Sequence, residues 1–80
     1  MENKEKLYHL ISHVLGIDVT EINEETSPEN TQSWDSFNAL VMVTELEECF
    51  NVTFTMDEIE SVRNVRDIIE VLSSYAISFD

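Results

Sequence analysis

Ser33-Trp34-Asp35-Ser36-Phe37 divides the chain: one helix and a long polar loop precede it, and only more helix follows. Asp35 and Ser36 are both residue types that favour a helix N-terminus, where a side-chain oxygen accepts a hydrogen bond from a first-turn backbone amide. From Phe37 to Phe50 there is no Gly or Pro to interrupt a helix. A hydroxyl at such a junction sits beside exposed amides and the positive end of the helix dipole, where a phosphate ester is stabilised without a cationic side chain. Ser36 therefore has two readings, a cap or a phosphate bearer. The local pattern alone favours the cap, and the wider sequence has to decide.

The helix that follows has two apolar faces. At about 100° per residue, Ala39, Met42, Val43, Leu46 and Phe50 form one stripe, expected to be the core face. Phe37, Leu40, Val41 and Thr44 fall on roughly the opposite side, at the Ser36 end, with Glu45, Glu47 and Glu48 further along. A helix needs one apolar face to fold, so the second reads either as a docking surface for another protein or as the sign of a fully enclosed central helix.

Upstream, Leu7, Leu10, Ile11, Val14 and Leu15 fall on one helical face. Gly16 follows as a left-handed stop, so the first helix is expected from Glu2 or Asn3 to Leu15. His9 and His13 are four apart on it, but no third ligand accompanies them, and they read as solvated. Residues 17–33 break the pattern. Only Ile17, Val19 and Ile22 look able to pin this loop, with a short turn expected at 20–23.

Downstream, Asn51-Val52-Thr53-Phe54 is a linker with two apolar plugs. Thr55-Met56-Asp57-Glu58 matches a capping box, flanked by Phe54 and Ile59 as a hydrophobic staple, so a short helix is expected over about 56–61. Asn64 is placed to cap the last helix. In it Val65, Ile68, Ile69, Leu72 and Tyr75 or Ala76 repeat the helical spacing to an end near 74–77. The expected fold is an all-α, four-helix bundle of three longer helices and one short one, forming a single domain over 1–80.

Seventeen acidic residues against four basic ones give a formal net charge of −13 over 80 residues. Such a surface repels nucleic acid and anionic membranes and attracts proteins bearing Lys and Arg. The single cysteine, Cys49, excludes an intramolecular disulfide and reads as a half-buried helix residue. No run of about 18 apolar residues exists, and the N-terminus lacks the pattern of a signal peptide, so a cytoplasmic protein is expected.

The order of these features resembles the acyl carrier proteins. The residues that carry the likeness are Asp35-Ser36-Phe37, Leu46-Glu47-Glu48-Cys49-Phe50, the stretch from Val62 to Ile69, and Leu15-Gly16-Ile17-Asp18. The resemblance implies that Ser36 receives a phosphopantetheine arm from coenzyme A through a separate phosphopantetheinyl transferase that recognises Asp35. It also implies a thioester-bound cargo, and partners that are acyl-loading and acyl-processing enzymes with basic patches. Such a protein is a carrier, not an enzyme, and is expected to be a monomer that takes neither nucleic acid nor membrane. Trp34, Phe37, Leu40, Val41, Glu47 and Glu48 are then the expected docking residues, Trp34 being equally able to pack on the loop. Asn38 and Val41 stand where the fatty-acid carriers commonly have acidic residues, and Ser33-Trp34 replaces their usual Gly before Asp-Ser. These departures point to a carrier dedicated to one biosynthetic pathway. The competing expectation is an acidic interaction module with no prosthetic group, in which Ser36 is only a cap.

Overall fold

The computed structural model describes residues 2–79. Met1 and Asp80, the ends of the expected 1–80 domain, lie outside the described residues. Among those residues the chain forms four α-helices and no strand: α1 (Asn3–Leu15), α2 (Ser36–Phe50), α3 (Met56–Ser61) and α4 (Val65–Ser74). This is the expected bundle, and each helix sits where its spacing placed it.

The core is assembled from one stripe per long helix. α1 contributes Leu7, Ile11 and Leu15, α2 contributes Met42 and Leu46, and α4 contributes Val65, Ile68 and Leu72. Ala39 and Phe50 are half-buried against it, and Val43, also half-buried, lines a recess beside α2, so the core stripe of α2 is largely the one its periodicity indicated. Gly16 ends α1 at φ 66°, a conformation that costs a residue with a Cβ, and its amide donates to the Ser12 carbonyl at 2.8 Å. α3 opens on the reciprocal capping box of Thr55 and Glu58, and α4 on Asn64, whose side chain accepts the Asp67 amide at 2.9 Å.

The long connection between α1 and α2 is tightly fastened. Asp18 caps a 3-10 turn at Val19–Glu21, one residue earlier than expected, and the Thr20 amide and hydroxyl hold its carboxyl below the ordinary range. Ile22 is buried, as are Thr26 and Ser27, which the polar sequence of this segment did not reveal. Their burial follows from internal pairing: Thr26 Oγ1 accepts the Asn23 amide at 2.9 Å, and Asn30 Oδ1 accepts the Ser27 amide at 3.0 Å.

The loop also completes another helix. The Val65 amide donates to the Thr26 carbonyl at 3.0 Å and the Arg66 amide to the Glu24 carbonyl at 3.1 Å. Two orphan donors of the first turn of α4 are thereby satisfied. The Arg66 guanidinium reinforces the junction by pairing with the Glu24 carboxylate at 3.2 Å and with that of Glu25.

After α4 the chain turns through Ala76, at φ 66°, and folds back. Ile77 and Phe79 pack on the core, Phe79 meets Phe50 with ring centroids 6.2 Å apart, and Asn3 Nδ2 donates to the Ser78 carbonyl at 2.8 Å. No helix among the described residues is long and apolar enough to cross a membrane. His9 and His13 are exposed, and no group of three or more potential metal ligands occurs among the described residues. Cys49, expected half-buried, is exposed in the last turn of α2.

Candidate functional site at the head of the second helix

Asp35 stands just outside α2 in extended conformation, and its carboxylate accepts the Asn38 amide at 2.8 Å. Its carbonyl takes the Ala39 amide at 2.9 Å. The cap of α2 is therefore Asp35, and the reading of Ser36 as the cap is corrected: Ser36 is the first helical residue, and it is exposed. The amides of Ser36 and Phe37 have no hydrogen-bond partner among the described residues. An exposed hydroxyl thus sits at the positive end of a 15-residue helix beside two free donors, which suits a phosphate ester.

The approach to Ser36 is held from the loop side. Asn38 Nδ2 donates to the Ser33 carbonyl at 2.8 Å, a bond that a carboxylate at this position could not make. Ser33 itself keeps a buried hydroxyl with no partner among the described residues. Trp34, expected among the docking residues, is only 5% exposed and belongs to the core cluster. The reason is its large apolar area: the turn that presents Ser36 outward directs the indole inward.

The remaining docking candidates divide. Phe37 and Leu40 are 72% and 66% exposed, unusual for large apolar side chains. Val41 is half-buried, while Thr44 and Glu48 are exposed on the same helix. Glu47 is half-buried, and its carboxylate is committed to the fold, accepting the Phe54 amide at 2.8 Å. Its place is two turns beyond Leu40, over the link to α3, where it anchors that link.

Beside this helix lies a partly open recess of about 140 Å³, walled by side chains of α2, α3 and α4 and by Pro28 and Trp34. Leu40, Val43, Ile59, Val62, Ile68 and Val71 make its lining apolar. Leu40 and Val43 lie one and two turns along α2 from Ser36, about 6 and 10 Å of helix rise away, so the cavity opens within reach of a group tethered there. A larger depression of about 770 Å³ runs between the end of α1 and the loop, but it is open and edged by Glu21, Asn23, Glu25 and Asn30. It has no enclosed apolar wall and shares no residue with α2.

The cavity walls on α3 and α4 escaped the sequence reading. Ile59, Val62 and Val71 look like any core positions, and only the packing of three helices leaves space between them. The one titratable side chain that lines this cavity, Glu58, is bonded to the Tyr75 hydroxyl and the Thr55 amide. What the site offers is an accessible attachment point and an apolar recess.

Comparison with known proteins gives concordant results. A family model described as "Phosphopantetheine attachment site" matches residues 5–72. An acyl carrier protein of Clostridium acetobutylicum is 32% identical over 71 residues, covering 89% of this chain and 92% of that one. One from Syntrophobacter fumaroxidans is 32% identical over 68 residues, covering 85% of this chain and 84% of the other. The solved structure of a candidate acyl carrier protein from Mycobacterium tuberculosis superposes with a TM-score of 0.80 over 89% of this chain and 95% of its own. At 20% identity that likeness concerns the fold.

Proposed function

The chain belongs to the phosphopantetheine-attachment family of acyl carrier proteins, and on that premise we propose that Ser36 is its attachment point. A member of this family is a carrier rather than a catalyst, and its prosthetic group is covalently bound phosphopantetheine. When attached, the arm supplies a terminal thiol that holds an acyl or related group as a thioester. The observation that carries the assignment to Ser36 is its geometry: an exposed hydroxyl, relieved of capping by Asp35, at a helix end with two free amides.

The other residues take supporting roles. Asp35 orders the turn and presents a carboxylate next to the modified hydroxyl for the phosphopantetheinyl transferase. Phe37, Leu40, Val41 and Glu48 form the surface on which acyl-loading and acyl-processing enzymes with basic patches dock. The apolar cavity receives the first part of a cargo chain. We place the protein in the cytoplasm as a monomer. We assign it to a dedicated pathway rather than fatty-acid synthesis, because Asn38 and Val41 replace the acidic residues that the fatty-acid enzymes meet on their own carriers.

Intact mass after incubation with coenzyme A and a broad-specificity phosphopantetheinyl transferase tests the attachment. One added phosphopantetheinyl group on the wild type and none on Ser36→Ala is expected; addition to both would move the site elsewhere. Efficient charging by fatty-acid acyltransferases would overturn the pathway assignment.

A further inference from the structure

α3 is the weakest wall of the cavity. It has six residues, none of them fully buried, whereas α1, α2 and α4 each contribute buried residues to the core. Its capping box is internal to it and ties it to nothing else. α3 meets the bundle through Ile59, which lines the cavity, through Val62 just past its end, which packs on the core, and through one polar group from beyond the end of α4.

That group is the Tyr75 hydroxyl. It lies 2.5 Å from Glu58 Oε1 on α3 and 2.9 Å from the Thr53 carbonyl in the preceding link. A hydroxyl has one proton, and the shorter contact to a charged acceptor takes most of it. The Tyr75 ring meets Phe54 edge-on, with centroids 6.0 Å apart, and the Phe54 amide is held by Glu47 of α2. Phe54 and Glu58 both line the cavity. Tyr75 thus fastens α3 to the end of α4.

The size of the cavity gives this fastening a consequence. A dry apolar cavity of about 150 Å³ accommodates a benzene-sized molecule, roughly six carbon atoms, and the space here is about 140 Å³. Because the recess is partly open, a longer chain either leaves its excess in solvent or displaces a wall to enter fully, and α3 costs least to move. We propose that Tyr75 is a positioning residue that sets cargo length: its bond to Glu58 latches α3 over a cavity sized for a short acyl chain. Longer chains enter fully only by breaking that bond. This rests on the carrier reading for the cargo but not for the latch itself.

Two measurements separate these parts. In the unmodified protein, Tyr75→Phe keeps the ring contact with Phe54 and removes the hydroxyl. Amide hydrogen exchange in α3 is expected to accelerate on the order of threefold to tenfold, with α1 and α4 unchanged. Glu58→Gln, which preserves the capping box, should act in the same direction and guards against a folding defect specific to the first variant. Unchanged α3 exchange in both variants overturns the latch.

The second measurement uses protein charged with six-carbon or twelve-carbon acyl groups and follows the methyl resonances of Ile59, Ile68 and Val71. In the wild type the short chain is expected to shift them more fully than the long one; in Tyr75→Phe the two should converge. An equal response to both chains in the wild type overturns the length rule. Failure of the transferase to modify either protein removes the carrier reading, and the length rule with it, while the exchange result still judges the latch.

Discussion

The carboxylate of Asp35 accepts the backbone amide of Asn38 at 2.8 Å, so the residue before Ser36 caps α2 and Ser36 has no part in holding the helix together. Stability and modification should therefore separate. Ser36→Ala is expected to change the unfolding free energy by no more than about 0.5 kcal/mol while abolishing phosphopantetheinylation. Asp35→Ala should lose about 0.5–2 kcal/mol, and Asp35→Asn, which keeps an acceptor, much less. Urea unfolding measures all three, and a larger loss in Ser36→Ala than in Asp35→Ala would return the cap to Ser36.

Trp34 is a core residue, so its truncation should behave as a core deletion. Trp34→Ala is expected to cost about 3–5 kcal/mol, a large share of the roughly 4–12 kcal/mol available to a domain of this size. Trp34→Phe should cost less. A melting temperature of Trp34→Ala close to that of the wild type would place the indole on the surface.

Phe37 and Leu40 predict the reverse. Phe37→Ala and Leu40→Ala are expected to leave stability within about 0.5 kcal/mol of the wild type, because neither side chain is enclosed. The rate at which a loading enzyme charges the modified protein should fall. Unaltered charging kinetics in the double variant would remove this face from the docking surface.

Glu58 gives a pH dependence. The Tyr75 hydroxyl, and after it the Thr55 amide, hold its carboxyl below the ordinary value of 4.5. A depressed carboxylate contributes stability that is present above its unfolded value and lost as pH falls through the folded one. The stability difference between wild type and Glu58→Gln, which cancels the shared charge repulsion, should thus be full at neutral pH and shrink below about pH 4.5. A difference that stays constant to pH 2 would show that the carboxylate is not favoured by the fold.

A formal charge of −13 on 80 residues, with Arg66 already paired to Glu24 and Glu25, leaves strong repulsion across the surface. Modest NaCl or MgCl2 should raise the melting temperature, the divalent ion more at equal concentration. A melting temperature unchanged or lowered by MgCl2 would mean that the charges are spread too widely to matter.

The residues that carry the architecture were legible because the signals are local. Leu7, Ile11 and Leu15 mark a helix by spacing, Gly16 by its backbone freedom, and Thr55 with Glu58 by reciprocal capping; none of these needs a distant partner. Ser36 was not legible in this way: its local pattern favoured a cap, and only the likeness along the whole chain singled it out as a phosphate bearer.

Distant partners decided the rest. Thr26 looked like a solvated loop residue until its carbonyl met the Val65 amide, 39 positions away, at 3.0 Å. Glu47 looked like a surface group because a helical wheel gives direction but not the neighbour that fills it, and Trp34 could be read as a loop-packing or a docking residue until the core closed over it. The cavity is a gap between three helices, and the Tyr75 to Glu58 bond spans 17 residues, so neither has a periodic signature in the chain. The sequence by itself determined the helices and their ends, because backbone geometry and side-chain spacing act within a few residues. Only the tertiary structure decided which polar groups are anchors and where a cargo chain finds room, because both depend on what packing brings together and what it leaves empty.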